Sequence, residues 1–85
     1  RSYNQQVDLS PKEFDMLVLL ASNPGKTYSR LDLLNQVWGV DFEGFEHTVN
    51  SHINRLRSKI EKSMNEPEFI LTTWGVGYKF KDDLL

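Results

Sequence analysis

One segment of the chain carries polar and basic side chains at the spacing of a single helix face. Within residues 47–62, apolar residues recur at intervals of four, three and four, the helical period, and they are Val49, Ile53, Leu56 and Ile60. The opposite side has hydroxyl, amide, guanidinium and ammonium groups and no carboxylate, from Thr48, Ser51, Asn54, Arg55, Ser58 and Lys62. Arg and Asn can read base edges, and the DNA major groove admits a helix. The pattern therefore favours a DNA-reading helix.

The charge of the whole chain argues in the other direction. The 85 residues have a formal net charge of −2 and an isoelectric point of about 5.6, whereas dedicated nucleic-acid binders often lie above about 9. The charges are unevenly placed, however, with three acids and no base in residues 41–46, and four bases and one acid in residues 47–62. Because the local potential governs binding, we interpret this as a basic DNA face beside an acidic surface with another role.

The elements that would position this helix begin near the amino terminus. A short strand, Val7–Leu9, is predicted to precede a helix that starts at Pro11, where Ser10 and Glu13 form a capping box, and that ends before Asn23. Apolar side chains lie on most sides of this helix, so we expect it to be nearly engulfed. They belong to Phe14, Met16, Leu17, Val18, Leu19, Leu20 and Ala21.

Two further helices and a hairpin complete the predicted order. Ser29 is expected to cap a second helix over Arg30–Trp38, with its buried side formed by Leu31, Leu34, Val37 and Trp38. The third helix, about 46–63, is followed by strands Phe69–Thr73 and Val76–Phe80 around a Trp74-Gly75 turn. The prediction is an α+β winged helix-turn-helix: one domain over residues 1–85, with a three-helix core, a C-terminal β-hairpin wing and a truncated N-terminal strand region.

Three stretches resemble a known family: LSPKEFDMLVLLASNPGKTYSRLDLLNQVWG, TVNSHINRLRSKIE and ILTTWGVGYKF. They resemble the OmpR/PhoB-type effector domain of bacterial two-component response regulators, and the resemblance runs from about Val7 to Phe80. It implies a cytoplasmic transcription factor whose receiver domain, absent from this chain, is phosphorylated by a sensor kinase. It also implies head-to-tail pairing on direct-repeat double-stranded DNA and contact with RNA polymerase.

The resemblance also assigns roles along the reading helix. Arg55, central on the exposed face, matches an Arg that enters the major groove, and Asn54 lies where some relatives carry Arg. Asn54 and Ser51 are base or phosphate contacts, or are simply solvated. The full predicted DNA-binding set, including backbone contacts and the wing, is Trp38, His47, Thr48, Ser51, Asn54, Arg55, Arg57, Ser58, Lys62, Thr72, Thr73, Trp74 and Lys79.

Several members of this set have a competing interpretation. Trp38 is either a phosphate donor, a core residue or both, and Arg57 bridges to another helix, to a phosphate or to both. Lys59 and Lys62 are backbone contacts or merely solubilising charges. Relatives often carry Arg at the wing tip, where this chain has Trp74. That tryptophan lies against sugars, partly intercalates as an apolar wedge, or tucks under the wing.

The remaining candidates concern other partners. The loop Val40–Phe45 matches the segment that relatives use to touch RNA polymerase, and we predict contacts from Asp41, Phe42, Glu43, Gly44 and Phe45. His47 and His52 are five residues apart, unlike the four-residue spacing of a helical metal pair, so His52 is predicted to be a packed, hydrogen-bonded residue.

Other functional classes have little support in the sequence. The chain has no cysteine, no recognisable nucleophile motif and no phosphate-binding glycine loop, so neither enzyme activity, a cofactor nor a metal is expected. No apolar run is long enough to span a membrane, and a soluble cytoplasmic domain is predicted. The alternative function is a winged-helix adaptor that binds protein rather than DNA.

Overall fold

The computed structural model describes residues 8–39 and 46–82. The elements are α1 (Pro11–Ala21), β1 (Tyr28–Ser29), α2 (Arg30–Leu33) continuing as a π-helical turn (Leu34–Trp38), α3 (His47–Ile60), β2 (Ile70–Thr73) and β3 (Gly77–Phe80). The three strands form an antiparallel sheet in the order β1-β3-β2. Three helices with a C-terminal β-hairpin make the predicted winged helix-turn-helix, and the fold class is confirmed.

Helix α1 begins as the sequence predicts, but only one of its faces is buried. The Ser10 hydroxyl accepts a hydrogen bond from the Glu13 backbone N–H, and Glu13 Oε1 accepts one from the Ser10 N–H, which completes the capping box. Met16 and Leu20 are fully buried, whereas Phe14 is 55% exposed and Val18 is also exposed. The expectation of a nearly engulfed helix is therefore wrong for the described residues, because the core lies on one side of α1 only.

The second helix has a different buried face from the one predicted. Its capping box is present, with Ser29 and Asp32 exchanging hydrogen bonds. Leu33 and Leu34 are buried and Leu31 is exposed, which corrects the prediction for Leu31. The helix widens into a π-helical turn after Leu33, so its buried positions do not follow one α-helical period.

The apolar stripe of α3 is confirmed as the centre of the core. Val49, Ile53 and Leu56 have no exposed surface, and Ile60 packs against the same cluster. The helix ends at Ile60, three residues before the predicted end at Ser63, and Glu61 has an extended conformation.

The sheet joins the two halves of the chain. Tyr28 is buried and pairs with Tyr78 of the wing, while Ser29 pairs with Gly77. Both wing strands start one residue later than predicted, at Ile70 and Gly77; the second does so because residues 74–76 form the turn. Asp8 and Leu9 belong to no strand, so the predicted strand over Val7–Leu9 is not found there; Val7 and the rest of the N-terminal region lie outside the described residues.

Candidate nucleic-acid interface

Helix α3 presents a polar face without a single acid. The sequence of His47–Ile60 contains no Asp or Glu, and the side chains opposite the buried stripe are exposed at Ser51, Asn54, Arg55 and Ser58. Thr48 is half-buried, and its carbonyl accepts a hydrogen bond from His52 Nδ1 at 2.8 Å. The face can therefore donate hydrogen bonds to an acceptor-rich surface with no like-charge repulsion from carboxylates of this helix.

Arg55 is held from behind by a buried carboxylate. Its side chain is 56% exposed, yet its Nε lies 3.4 Å from Glu13 Oε2, and Glu13 is buried in α1. Its Nη2 contacts His52 Nε2 at 3.2 Å. Nε and Nη2 share one edge of the guanidinium fork. Nη2 carries two N–H groups, so it also belongs to the other edge, which it forms with Nη1. That second edge remains for bidentate contact with a ligand.

Glu13 is the centre of a charged network that links α1 to α3. Its Oε1 accepts a hydrogen bond from Lys59 Nζ at 2.6 Å, in addition to the one from the Ser10 backbone. Burial acts to raise the pKa of Glu13, but the hydrogen bonds from Lys59, Ser10 and Arg55 outweigh it and lower the pKa below its usual value. Glu13 is thus ionised and paired at neutral pH.

This network changes the interpretation of Lys59. The sequence suggests a backbone contact or a solubilising charge, whereas the structure has Lys59 Nζ bonded to both Glu13 and the Asp8 carbonyl, at 2.8 Å from the latter. Lys59 therefore joins two helices. Sequence reasoning missed this because the paired residues lie 46 positions apart.

His52 and Trp38 pack together at the edge of the same face. Their rings meet edge to face with centroids 4.8 Å apart, and Lys12 Nζ lies 5.9 Å from the Trp38 ring. Since Arg55 can only donate, His52 Nε2 accepts from it and Nδ1–H donates to the Thr48 carbonyl. His52 is the packed, hydrogen-bonded histidine that the sequence predicts, and Trp38 is half-buried against the core.

Arg57 fastens the wing to α3. It is 9% exposed, and both Nε and Nη2 donate to the Ile70 carbonyl, at 3.1 and 2.8 Å, while Nη2 also donates to Thr72 Oγ1 at 2.8 Å. Burial lowers the pKa of Arg57, and the neighbouring Tyr78 and Glu61 act in the opposite direction. Of the predicted alternatives, a bridge to another element is the one observed, and the bridged element is a strand. The Nε and Nη2 donors are occupied within the protein, and a contact of Arg57 with DNA stays a prediction.

Glu61 is a second buried acid that sequence reasoning missed. Its carboxylate accepts hydrogen bonds from three consecutive backbone N–H groups, those of Glu68, Phe69 and Ile70, at 2.7 to 3.2 Å. To reach them, the chain leaves helical geometry directly after Ile60. Lys62 therefore lies beyond α3 in an exposed bend rather than on its outward face, which corrects its predicted placement.

The amino-terminal end of α3 has no side-chain cap. Glu46 stands at the cap position, but its carboxylate lies 3.4 Å from Arg30 Nη2 instead of bonding to the helix. His47 is exposed at the first helical position, and the first turn contains no acid. Uncapped N–H groups at a helix start favour an anion.

The predicted wing residues differ in what they can offer a ligand. The Thr72 hydroxyl accepts from Arg57, and the Thr73 hydroxyl lies 3.3 Å from that of Thr27, so both are partly engaged within the protein. Lys79 is half-buried on the last strand. Trp74 is 88% exposed at the turn, which excludes the alternative that it tucks under the wing.

Three remaining findings delimit the site. The predicted polymerase-contact residues Asp41, Phe42, Glu43, Gly44 and Phe45 lie outside the described residues. Among residues 8–39 and 46–82, no group of three or more His, Cys, Asp or Glu side chains could hold a metal ion. None of the described helices has the length and apolar character needed to cross a bilayer.

Comparisons with known proteins place this geometry in a family. The family described as "Transcriptional regulatory protein, C terminal" matches residues 4–80. The transcriptional regulatory protein YclJ of Bacillus subtilis, itself uncharacterised, is 51% identical over 76 residues, which are 89% of this chain and 33% of YclJ. The chain thus spans about a third of the length of the curated relatives that it matches.

Two solved structures share both the fold and much of the sequence. The response regulator DrrB of Thermotoga maritima, an OmpR/PhoB homologue, has a TM-score of 0.84 and 38% identity over 92% of this chain and 35% of DrrB. The RstA DNA-binding domain of Klebsiella pneumoniae, solved in complex with the RstA box, has a TM-score of 0.79 and 37% identity, over 92% of this chain and 77% of that one. The chain therefore belongs to the C-terminal, DNA-binding domains of OmpR/PhoB-type transcriptional regulatory proteins.

Proposed function

We propose that this domain binds double-stranded DNA in a sequence-specific manner, with α3 in the major groove and the wing at the adjacent minor groove. The observation that carries the proposal is the outward face of α3, which has no carboxylate and holds Arg55 exposed against a buried partner. A guanidinium that is already oriented loses less conformational freedom when it binds. The RstA domain, solved on DNA, supports the same use of the fold.

Arg55 is the proposed base reader. Its free edge can donate two parallel hydrogen bonds to O6 and N7 of guanine, a pairing worth about 1–3 kcal/mol of discrimination. Ser51 and Asn54 flank it on the exposed face and are proposed base or phosphate contacts. His47 and Thr48, at the uncapped start of α3, are proposed phosphate contacts, as are Trp38, Ser58, Lys62, Thr73 and Lys79.

The test is selection of bound duplexes from a random library at two salt concentrations, followed by titration of the selected site and of a scrambled duplex. We expect enriched direct repeats spaced by about one helical turn, roughly 10–10.5 base pairs. Each phosphate neutralised should add about −0.9 to the slope of log K against log salt concentration. A correctly folded domain that binds no duplex even at low salt would favour the protein-adaptor function instead.

Arg55→Ala and Lys62→Ala form a matched pair, because each removes one exposed cation. We expect Arg55→Ala to lower the ratio of specific to non-specific affinity by about 5- to 150-fold. We expect Lys62→Ala to weaken binding to both duplexes equally and to reduce the salt slope by about one. If Arg55→Ala leaves the ratio unchanged, Arg55 is not a base reader.

The wider biology of the family remains a proposal for this chain. The domain is proposed to be the output of a two-component regulator in the cytoplasm, controlled by a sensor kinase through a receiver domain. Head-to-tail pairing on DNA and contact with RNA polymerase through Asp41–Phe45 are proposed on the family resemblance.

A further inference from the structure

The wing tip exposes an unusually large apolar surface. Trp74 is 88% exposed and Val76, two residues on, is 55% exposed. The turn that carries them is closed by a hydrogen bond from the Val76 N–H to the Thr73 carbonyl at 2.9 Å. Gly75 has φ +80°, the value that the third position of a type II turn requires. Two neighbouring apolar side chains thus project from a closed turn and stay in contact with solvent.

The strands that carry the tip are hydrogen-bonded to α3. Arg57 donates to Ile70 and Thr72 of β2, and the Tyr78 hydroxyl of β3 donates to Asn50 Oδ1 of α3 at 2.8 Å. Both strands of the hairpin are therefore bonded to the helix that carries Arg55. A side chain at the end of such a support meets a bound duplex at a fixed distance from α3.

The surroundings of Trp74 suit a polyanion. Two hollows border the indole, one including Arg30 and Asn50 and the other including Arg57 and Lys79, and among the described residues no Asp or Glu lines either hollow. Arg30 is paired with Glu46 and Arg57 is engaged in the wing, so Lys79 is the clearest source of free positive charge. An apolar projection bordered by hollows with basic and neutral linings matches a minor groove, where apolar sugars and base edges lie between two lines of phosphates.

We propose that Trp74, supported by Val76, acts as an apolar wedge that enters the DNA minor groove beside the site read by α3 and partly unstacks one base step. The inference rests on the DNA binding proposed above and adds a mechanism at the wing. Wedges of this kind kink the duplex, and flexible pyrimidine–purine steps such as TA and CA are the least costly to kink. The wing therefore selects a deformable step, and binding bends the DNA.

The test uses a duplex that carries the selected site, labelled at its ends for energy transfer, with 2-aminopurine placed in turn at each position of the segment beneath the wing. Wild-type protein should shorten the end-to-end distance and raise 2-aminopurine fluorescence at one step. Trp74→Ala should abolish both signals and weaken binding by about 10-fold, while the base preference at the α3 positions stays unchanged.

Three further variants sharpen the result. Trp74→Phe should retain most of the bend, because it keeps an apolar ring. Trp74→Arg should lose the bend and make the salt slope steeper by about 0.9, since it adds a phosphate contact. Phe14→Ala, which removes a 55% exposed aromatic side chain from α1, is the control and should change neither signal.

Several outcomes would overturn the wedge. If wild-type protein binds its site specifically but leaves the DNA straight and stacked, the wedge is wrong and DNA recognition by α3 stands. If Trp74→Ala affects only the pairing of two copies on a direct repeat, the tip contacts protein. If no specific site exists, the proposed function and the wedge fail together.

Discussion

At the scale of single residues, Glu13 has two roles that are usually separate. It completes the capping box of α1 and also accepts from Lys59 and Arg55 of α3. The first role is local and can be predicted from the three-residue spacing to Ser10. The second cannot, because Arg55 and Lys59 are 42 and 46 residues away in sequence and only tertiary packing brings them to this carboxylate.

Replacing Glu13 should therefore affect stability, its pH dependence and DNA specificity together. Glu13→Gln removes the buried carboxylate that pairs with Lys59 and Arg55, and because those two cations are partly exposed and can be hydrated, we expect a loss of about 1–3 kcal/mol of unfolding free energy. Since the folded state lowers the pKa of Glu13, its contribution is complete above the ordinary carboxyl pKa and is lost as the pH falls through the lower folded value. Urea denaturation at pH 7, 4 and 3 should show the difference between wild type and variant shrinking on acidification.

Asp15→Asn is the control for Glu13, since Asp15 is an exposed acid on the same helix. It should change the unfolding free energy by less than about 0.5 kcal/mol. In DNA titrations, Glu13→Gln should also reduce the specificity ratio, because Arg55 loses the group that orients it. An identical ratio in the folded variant would show that the ion pair serves stability alone.

At the scale of elements, the sequence predicts where helices start better than where they end. Ser10 and Ser29 both cap as expected, because the capping box depends on residues three apart. The end of α3 at Ile60 was not predictable, since Glu61 gives up helical geometry to bind N–H groups seven to nine residues later. Helical periodicity correctly predicts the exposed face that holds Arg55. It places Lys62 wrongly, because the helix ends at Ile60, before that residue.

Glu61→Gln should loosen the connection between α3 and the wing. The amide has one oxygen in place of a carboxylate that satisfies three backbone donors, so we expect a loss of about 1–3 kcal/mol in unfolding free energy. Hydrogen exchange of the Glu68, Phe69 and Ile70 amides should accelerate more than that of the α1 amides. Glu66→Gln, an exposed acid in the same connecting segment, is the control; equal acceleration in both variants would contradict this role of Glu61.

At the scale of the whole molecule, the three-stranded sheet closes the fold by joining β1, which precedes α2, to the last strand. Gly77 makes this closure possible, because a Cβ atom there would overlap the Tyr28 carbonyl oxygen and crowd Ser29 Cα. Of Gly75 and Gly77, only Gly75 has a positive φ, and Gly77 instead permits two backbones to approach.

Replacement by alanine should therefore have different consequences at Gly75 and at Gly77. Gly77→Ala must displace β1 from β3, and we expect a loss of more than about 3 kcal/mol, measured by thermal or urea unfolding. A Cβ atom at position 75 would meet no atom within 4 Å. Gly75→Ala should therefore lower the unfolding free energy only by the strain of a left-handed conformation, about 1–2 kcal/mol. If the two variants are equally stable, Gly77 is not a close-approach site.

The buried guanidinium of Arg57 sets one more property of the molecule. The angle between α3, the proposed reading helix, and the hairpin beside it depends in part on an arginine that stays charged at every physiological pH. Because the guanidinium keeps its charge over this pH range and the chain has no cysteine, neither a physiological change in pH nor a change in redox state removes the contacts that Arg57 makes. We therefore expect a physiological signal to change how often the domain occupies DNA and which other molecules are bound beside it. The angle between α3 and the wing should stay the same.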